Sequence, residues 1–354
     1  MSNWIAFSFF FFHPPPFRKI IILFFLFIWF FFLSCSEEEI KTIPFRIETA
    51  ISPVVDSPDG RSVLDTLLYL QLVQRLSNGD SSGLWPPDAP FPLAGATLPF
   101  NRIVAFYGNF YSRNMGILGA LPPGEMISRL KSVVNQWERT DPSIPVIPAI
   151  HYIAVSAQKQ AGRNGKFSLR MPPDQIEKAL ELAKTVDGLT FLDIQVGTGS
   201  LMDEIRYLEP WLIRERVHLG IDPEFSMKDG SPPGSSIGTF DADDINPVTG
   251  YLAGLVRQHQ LPPKMLIIHR FNKGMLTRYK NILTRPEVQL VIHMDGFGFP
   301  AKKKNSYYQV VYREPIQFAG FKLFFKNDTH DGYALMSPEE ILQLIPRPLY
   351  IQYQ

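Results

Sequence analysis

The chain has one cysteine, Cys35, in 354 residues, so no disulfide framework can hold it and stability must come from a packed core. It also lacks an excess of either charge: 35 Lys and Arg stand against 34 Asp and Glu, a net charge of +1. That balance removes the electrostatic footprint of a nucleic-acid binder, and no nucleic acid is expected as a partner. The one basic run, Lys302-Lys303-Lys304, is short and reads as a solvated loop. A dinucleotide fingerprint is missing too, because Gly197-Thr198-Gly199 would need a third glycine where Met202 stands.

What the chain does have is a set of short apolar runs. They begin at Arg102, Ile144, Gly188, Val217, Lys264, Val288, Ala319 and Pro348, and helix-like stretches separate them. A strand buried on both faces reads as a continuous apolar run, and strands alternating with helices imply a parallel sheet. Eight such runs predict an α/β fold, a (β/α)8 TIM barrel, and the remaining length suits a single barrel of about 250 residues. Helical signals fall between the runs. Pro173-Asp174 opens a stretch with Ile176, Ala179, Leu180 and Ala183 on one face, and Ser337-Pro338-Glu339-Glu340 has the form of a capping box. The last run leaves no room for a helix after it. An apolar helix over Val63 to Leu76 is therefore expected to cover the seam between the first and last strands, followed by a Pro- and Gly-rich loop from Asn78 to Phe100. The barrel domain, with this helix and loop in 61–101, is placed at 61–354.

In such barrels the active site lies at the carboxyl ends of the strands, and there the runs end in polar groups. Side chains two apart on a strand share a face. On that rule Tyr107 and Asn109, Asp193 and Gln195, Asp222 and Glu224, and His293 and Asp295 pair off, and His151, His269, Lys322 and Gln352 occupy matching ends. All twelve are expected to project into one mouth. Gathering so many ionisable groups is expensive unless they are paired, which argues for a functional set.

The carboxylates suit general acid and base work on a glycosidic bond, where one group stays protonated and another ionised. Glu224 is the candidate acid, and Asp222, Asp193 or Asp295 the candidate base or nucleophile. Tyr107, Asn109, His151, Gln195, His269, His293, Lys322 and Gln352 are the candidate substrate-binding groups. The Asp187 to Gln195 segment is loosely similar to a strand motif of chitinase-like barrels, but it ends in Gln195 rather than Glu, so no catalytic role carries over. Two other readings stay open. One is a non-catalytic, ligand-binding or structural barrel, with Tyr107, Phe110, Tyr111, Phe225, Phe271, Phe297, Phe299 and Phe325 available for stacking on sugar rings. The other is a metal-dependent hydrolase using Zn or Mn, for which His151, His269 and His293 with the carboxylates are suitable ligand types. The His-x-His pair of amidohydrolase-like barrels is absent, Tyr107-Gly108-Asn109 standing in its place, so no metal or other cofactor is assigned.

Arg18 and Lys19 precede an apolar stretch from Ile20 to Leu33, the form of a signal peptide over 1–34. Phe32-Leu33-Ser34-Cys35 resembles the lipobox of bacterial lipoproteins, departing from it where Phe32 and Leu33 stand. That resemblance implies lipidation of Cys35, a polar tether over 35–60, and a membrane partner reached through the lipid. The protein is then expected as a monomer on the bacterial cell membrane or outer membrane, facing the periplasm or exterior. Tyr111 to Gly119, Phe191 to Gly197, Asp222-Pro223-Glu224-Phe225 and Met294 to Gly298 are similar to stretches in a group of uncharacterised bacterial exported proteins and lipoproteins. The group implies the barrel and the place of its site, without naming a reaction. Together these readings point to a lipid-anchored barrel with a glycoside-hydrolase-like site acting on a carbohydrate. Replacing Cys35 with Ala is expected to abolish incorporation of labelled palmitate and release the protein from membranes; undiminished labelling refutes the anchor.

Overall fold

A computed structural model of the chain describes residues 54–56, 62–163 and 165–354. The signal peptide at 1–34, the lipidation site Cys35 and most of the expected tether lie outside the described residues. Eight parallel strands form the barrel: β1 (Arg102–Gly108), β2 (Val146–Ala157), β3 (Leu189–Ile194), β4 (Val217–Ile221), β5 (Lys264–Arg270), β6 (Val288–Met294), β7 (Phe318–Leu323) and β8 (Tyr350–Tyr353). Each pairs with the next, and β8 pairs back onto β1, with Tyr350 opposite Ile103 and Tyr353 opposite Phe106, so the ring closes. β2 runs on beyond His151, its expected end, because 152–156 stay buried; its end then pairs antiparallel with Ser168–Arg170.

One helix precedes the first barrel strand, and others flank the ring between strands. They are α1 (Thr66–Leu76), α2 (Pro123–Thr140), α3 (Pro173–Lys184), α4 (Leu201–Leu212), α5 (Ala242–His259), α6 (Pro300–Tyr307) and α7 (Pro338–Ile341). In α3 the expected Ile176, Ala179, Leu180 and Ala183 are the buried residues. Asp241 and Asp244 make a capping box that starts α5, and Ser337 and Glu340 make the one that starts the short α7.

The N-terminal helix takes a different position from the one expected. Its first turn begins at Thr66, capped by Asp65, while Ser62–Leu64 forms a strand with Val54–Asp56, inside what reads as tether. Tyr69, Leu72 and Leu76 do not lie on the outer seam. They pack with Leu98 and Phe100 against residues of the barrel interior, among them Ile103, Ala149, Phe191, Met265, Val291 and Tyr350. The helix and its following loop therefore close the amino-terminal end of the barrel. Gln289 ties the loop in, its side chain accepting from the Thr97 and Leu98 amides and donating to the Leu98 carbonyl. The physical reason is that the interior strand positions at this end are apolar and would meet solvent unless covered from below. The seam is covered by α2, whose Trp137 indole donates to the Tyr353 hydroxyl at 2.9 Å.

Truncating a floor residue should act as a core deletion. Leu72, 7% exposed, is expected to cost about 2–4 kcal/mol of unfolding free energy when changed to Ala. Leu67, 73% exposed on the same helix, should cost less than about 0.5 kcal/mol. Equal effects in denaturant unfolding contradict the placement of the helix.

Candidate active site

The barrel interior changes character along its axis. Apolar side chains fill it from the floor upward as far as Phe191, Ile267 and Val291, and above them lies a polar layer containing His151, Asp193, His269, His293, Lys322 and Gln352, all buried. Strand parity produces this stack, since Phe191 and Asp193 are two apart on β3, Ile267 and His269 on β5, and Val291 and His293 on β6.

Asp193 lies at the centre of that layer. Its Oδ2 accepts from the Tyr107 hydroxyl at 3.0 Å, and its Oδ1 lies 3.2 Å from His151 Nε2 and 3.4 Å from His269 Nε2. The far nitrogens of both rings are engaged as well. His151 Nδ1 is 2.5 Å from the Tyr350 hydroxyl and 3.0 Å from the Gln352 amide, and His269 Nδ1 is 3.0 Å from Asp295 Oδ2. Burial resists charge on Asp193, yet the two imidazoles overcome it and hold its carboxyl far below the usual range. Burial likewise pushes His269 down, and the charges of Asp193 and Asp295 reverse this and raise it to about 10. His151 falls to about 4 because burial outweighs Asp193. Burial, with His269 and Lys322 nearby, sends His293 well below its ordinary value.

Above this layer opens a cavity of about 630 Å³, bordered by Tyr107, Gln195, Asp222, Glu224, Asp295 and Lys322. Phe225, Phe271, Phe297 and Phe324 supply its apolar walls. Asp222 caps a single turn, Pro223–Phe225, by accepting from the Glu224 amide at 3.0 Å, which sets the Glu224 side chain over the mouth. Burial raises the Asp222 carboxyl well above its ordinary value, and the charges of Asp295, Glu224 and Asp193 add to this against the pull of His269. Glu224 is raised by burial and then by the charge of Asp295. Lys322 lies 3.8 Å from the centre of the Tyr107 ring; burial lowers its ammonium, while the surrounding carboxylates oppose the shift.

The expected set therefore divides by depth. Tyr107, Gln195, Asp222, Glu224, Asp295 and Lys322 meet in the cavity. Asp193, expected as a base or nucleophile, is fully enclosed beneath Tyr107 and does not border the cavity. His151, His269, His293 and Gln352, expected to bind substrate, lie with it in the layer below. Asn109 leaves the site altogether. Gly108 adopts a φ of 149° and turns the chain, so Asn109 donates to the Ile153 carbonyl and accepts from the Tyr111 amide.

Among the aromatic candidates, Phe110 stacks on Tyr152, Phe325 on Tyr353 and Phe299 on Tyr333, away from the cavity lining. Phe324 takes a place on the wall that the sequence reading missed, although its parity with Lys322 on the end of β7 could have found it. The basic run is not a solvated loop. Lys302 borders the cavity, and Lys303 is buried, with its ammonium 2.8 Å from Asp328 Oδ2 and donating to the carbonyls of Lys322 and Gly296. It thereby braces the β7 end carrying Lys322 against the loop after β6 carrying Asp295.

No protein-family model and no curated protein matches the chain. Among solved structures it is similar to the crystal structure of Plasmodium falciparum HPPK-DHPS wild type with pteroate, at 11% sequence identity and a TM-score of 0.33. The likeness covers 81% of this chain and 52% of that one, so the chain spans about half the length of that protein.

Proposed function

We propose that the barrel is a hydrolase that cleaves a glycosidic bond of a carbohydrate bound in the cavity, and that the protein is held to a bacterial membrane through lipid on Cys35. One observation carries the enzymatic part: Glu224, raised toward its protonated form, shares the cavity with Asp295, whose charge helps to raise it. A carboxyl held toward its protonated form with a second carboxyl in the same cavity is what acid-assisted departure and base-assisted attack require. Glu224 gives its proton to the leaving oxygen as the bond from the anomeric carbon breaks. A water oxygen then adds to that carbon, and Asp295, steadied by His269 Nδ1 at 3.0 Å, takes the water's proton. Asp222 holds the Glu224 turn in place. The four phenylalanines suit the apolar faces of sugar rings, while Gln195 and Lys322 suit their hydroxyls. The lipid anchor is supported by the sequence around Cys35 alone.

A panel of aryl glycosides and envelope polysaccharides tests this reading. Glu224→Gln is expected to lower kcat by about 100-fold or more on whichever substrate is turned over. Its thermal stability should stay unchanged or rise, because a raised carboxyl disfavours the folded state as pH climbs above its unfolded value. Activity of the parent protein should fall as pH rises through the elevated Glu224 value, since the proton to be donated is then lost. Lys322 favours the ionised form of Glu224, so Lys322→Met should move that alkaline limb upward. Glycan binding without turnover, or a Glu224→Gln variant that unfolds at much lower temperature, removes Glu224 from catalysis.

A further inference from the structure

His151 Nε2, Asp193 Oδ1 and His269 Nε2 are fully buried, converge on one another, and none of the three makes a hydrogen bond. Leaving several such atoms unpaired in a protein interior is costly, and buried polar atoms in folded proteins are almost always partnered. At 3.2 and 3.4 Å the nitrogens are close enough to Asp193 Oδ1 for hydrogen bonds, but neither N–H direction fits one. We propose that these three atoms are the ligands of a divalent transition-metal ion of the zinc class, held on the floor of the active site.

The spacing agrees with this. Ligands about 2.0–2.2 Å from a tetrahedral ion lie roughly 3.3–3.5 Å from each other, close to the two measured separations. Gly220 on β4 lets the cluster lie against the strand backbone: a methyl group there would stand 2.4 Å from His151 Nε2 and 2.5 Å from Asp193 Oδ1, so any larger residue would collide with two of the three ligand atoms.

The surroundings are those of a metal site as well. Metal-bound imidazoles hand their other N–H to a carboxylate or another acceptor, which fixes the ring. His269 Nδ1 has Asp295 at 3.0 Å and His151 Nδ1 has the Tyr350 hydroxyl at 2.5 Å. The Gln352 amide, 3.0 Å from the same His151 nitrogen, can turn over to present its carbonyl, and this also employs Gln352 Oε1, otherwise without a partner. The second oxygen of Asp193 is bound by Tyr107. Two imidazoles and a carboxylate favour zinc or a neighbour in its row over magnesium or calcium. His293, whose ring centre is 5.2 Å from that of His269, does not join the three converging groups.

The proposal does not depend on the carbohydrate reading, and its test is separate. The full chain, purified without chelator, should contain close to one equivalent of zinc or a related ion by elemental analysis. After chelation, Co²⁺ should bind to saturation at one equivalent, with the visible absorption of a low-symmetry cobalt site that excess Mg²⁺ does not remove. Asp193→Asn and His269→Asn should lose the equivalent. Asp295→Asn, which touches only the ring's far nitrogen, should weaken affinity by about 10–100-fold. Glu224→Gln and the surface variant His330→Gln should keep the equivalent, so loss of glycan turnover and loss of metal are read independently. Retention of the ion by both ligand variants overturns the proposal. So does the absence of a saturable Co²⁺ spectrum in the chelated parent protein, a measurement that stands even if the variants fail to fold.

Discussion

The polar half of this barrel is organised around a carboxylate enclosed in the barrel interior. Asp193 is fully buried, and in such a place an uncompensated charge costs more than most packing contacts return. Tyr107, His151 and His269 all bring polar atoms to it from different strands, and Asp295, Tyr350 and Gln352 then fix the far sides of the two imidazoles. The layer beneath the cavity is thus arranged around one residue. The groups that face the cavity, Asp295 and Tyr107 above all, receive their orientation from that layer.

Electrostatics in the cavity follow from the same arrangement. Burial, and after it the charges of neighbouring carboxylates, moves Asp222 and Glu224 upward, while the two imidazoles beside Asp193 overcome its burial and move it down. Among the described residues Lys322 is the one buried ammonium bordering the cavity, and Lys303 with Asp328 keeps its strand end in register with the loop bearing Asp295. Lys322 and His269 oppose the upward shift of Glu224 that burial and Asp295 produce.

The eight strands were legible in the sequence because a barrel strand is buried on both faces, and a continuous apolar run such as that at Val288 has few other uses. Parity also identified which side chains point inward. What it did not give is depth: nothing in the spacing of His151 or Asp193 says that Tyr107 closes over them, since that depends on side-chain length across the barrel. Asn109 escaped for a local reason, the turn at Gly108, which breaks the alternation on which parity relies. Lys303 was read as solvated because a basic triplet shows no partner in sequence, and Asp328 reaches it only through the fold. The first helix showed its apolar character clearly, but an amphipathic pattern does not say whether the face it covers is the outside of a sheet or the open end of a barrel.

The closure of the floor bears on how the chain reaches its native state. Tyr69, Leu72 and Leu76 come before any barrel strand, yet their cover includes Tyr350, and Asn78 donates to the Leu344 carbonyl across a sequence separation of 266 residues. Contacts of such span slow folding, because a long loop must close before they form. During synthesis the first helix therefore emerges with its apolar face bare and keeps it so until almost the whole chain has been made. A cell producing this protein must protect that face throughout, and the ring and its floor become stable together, at the end.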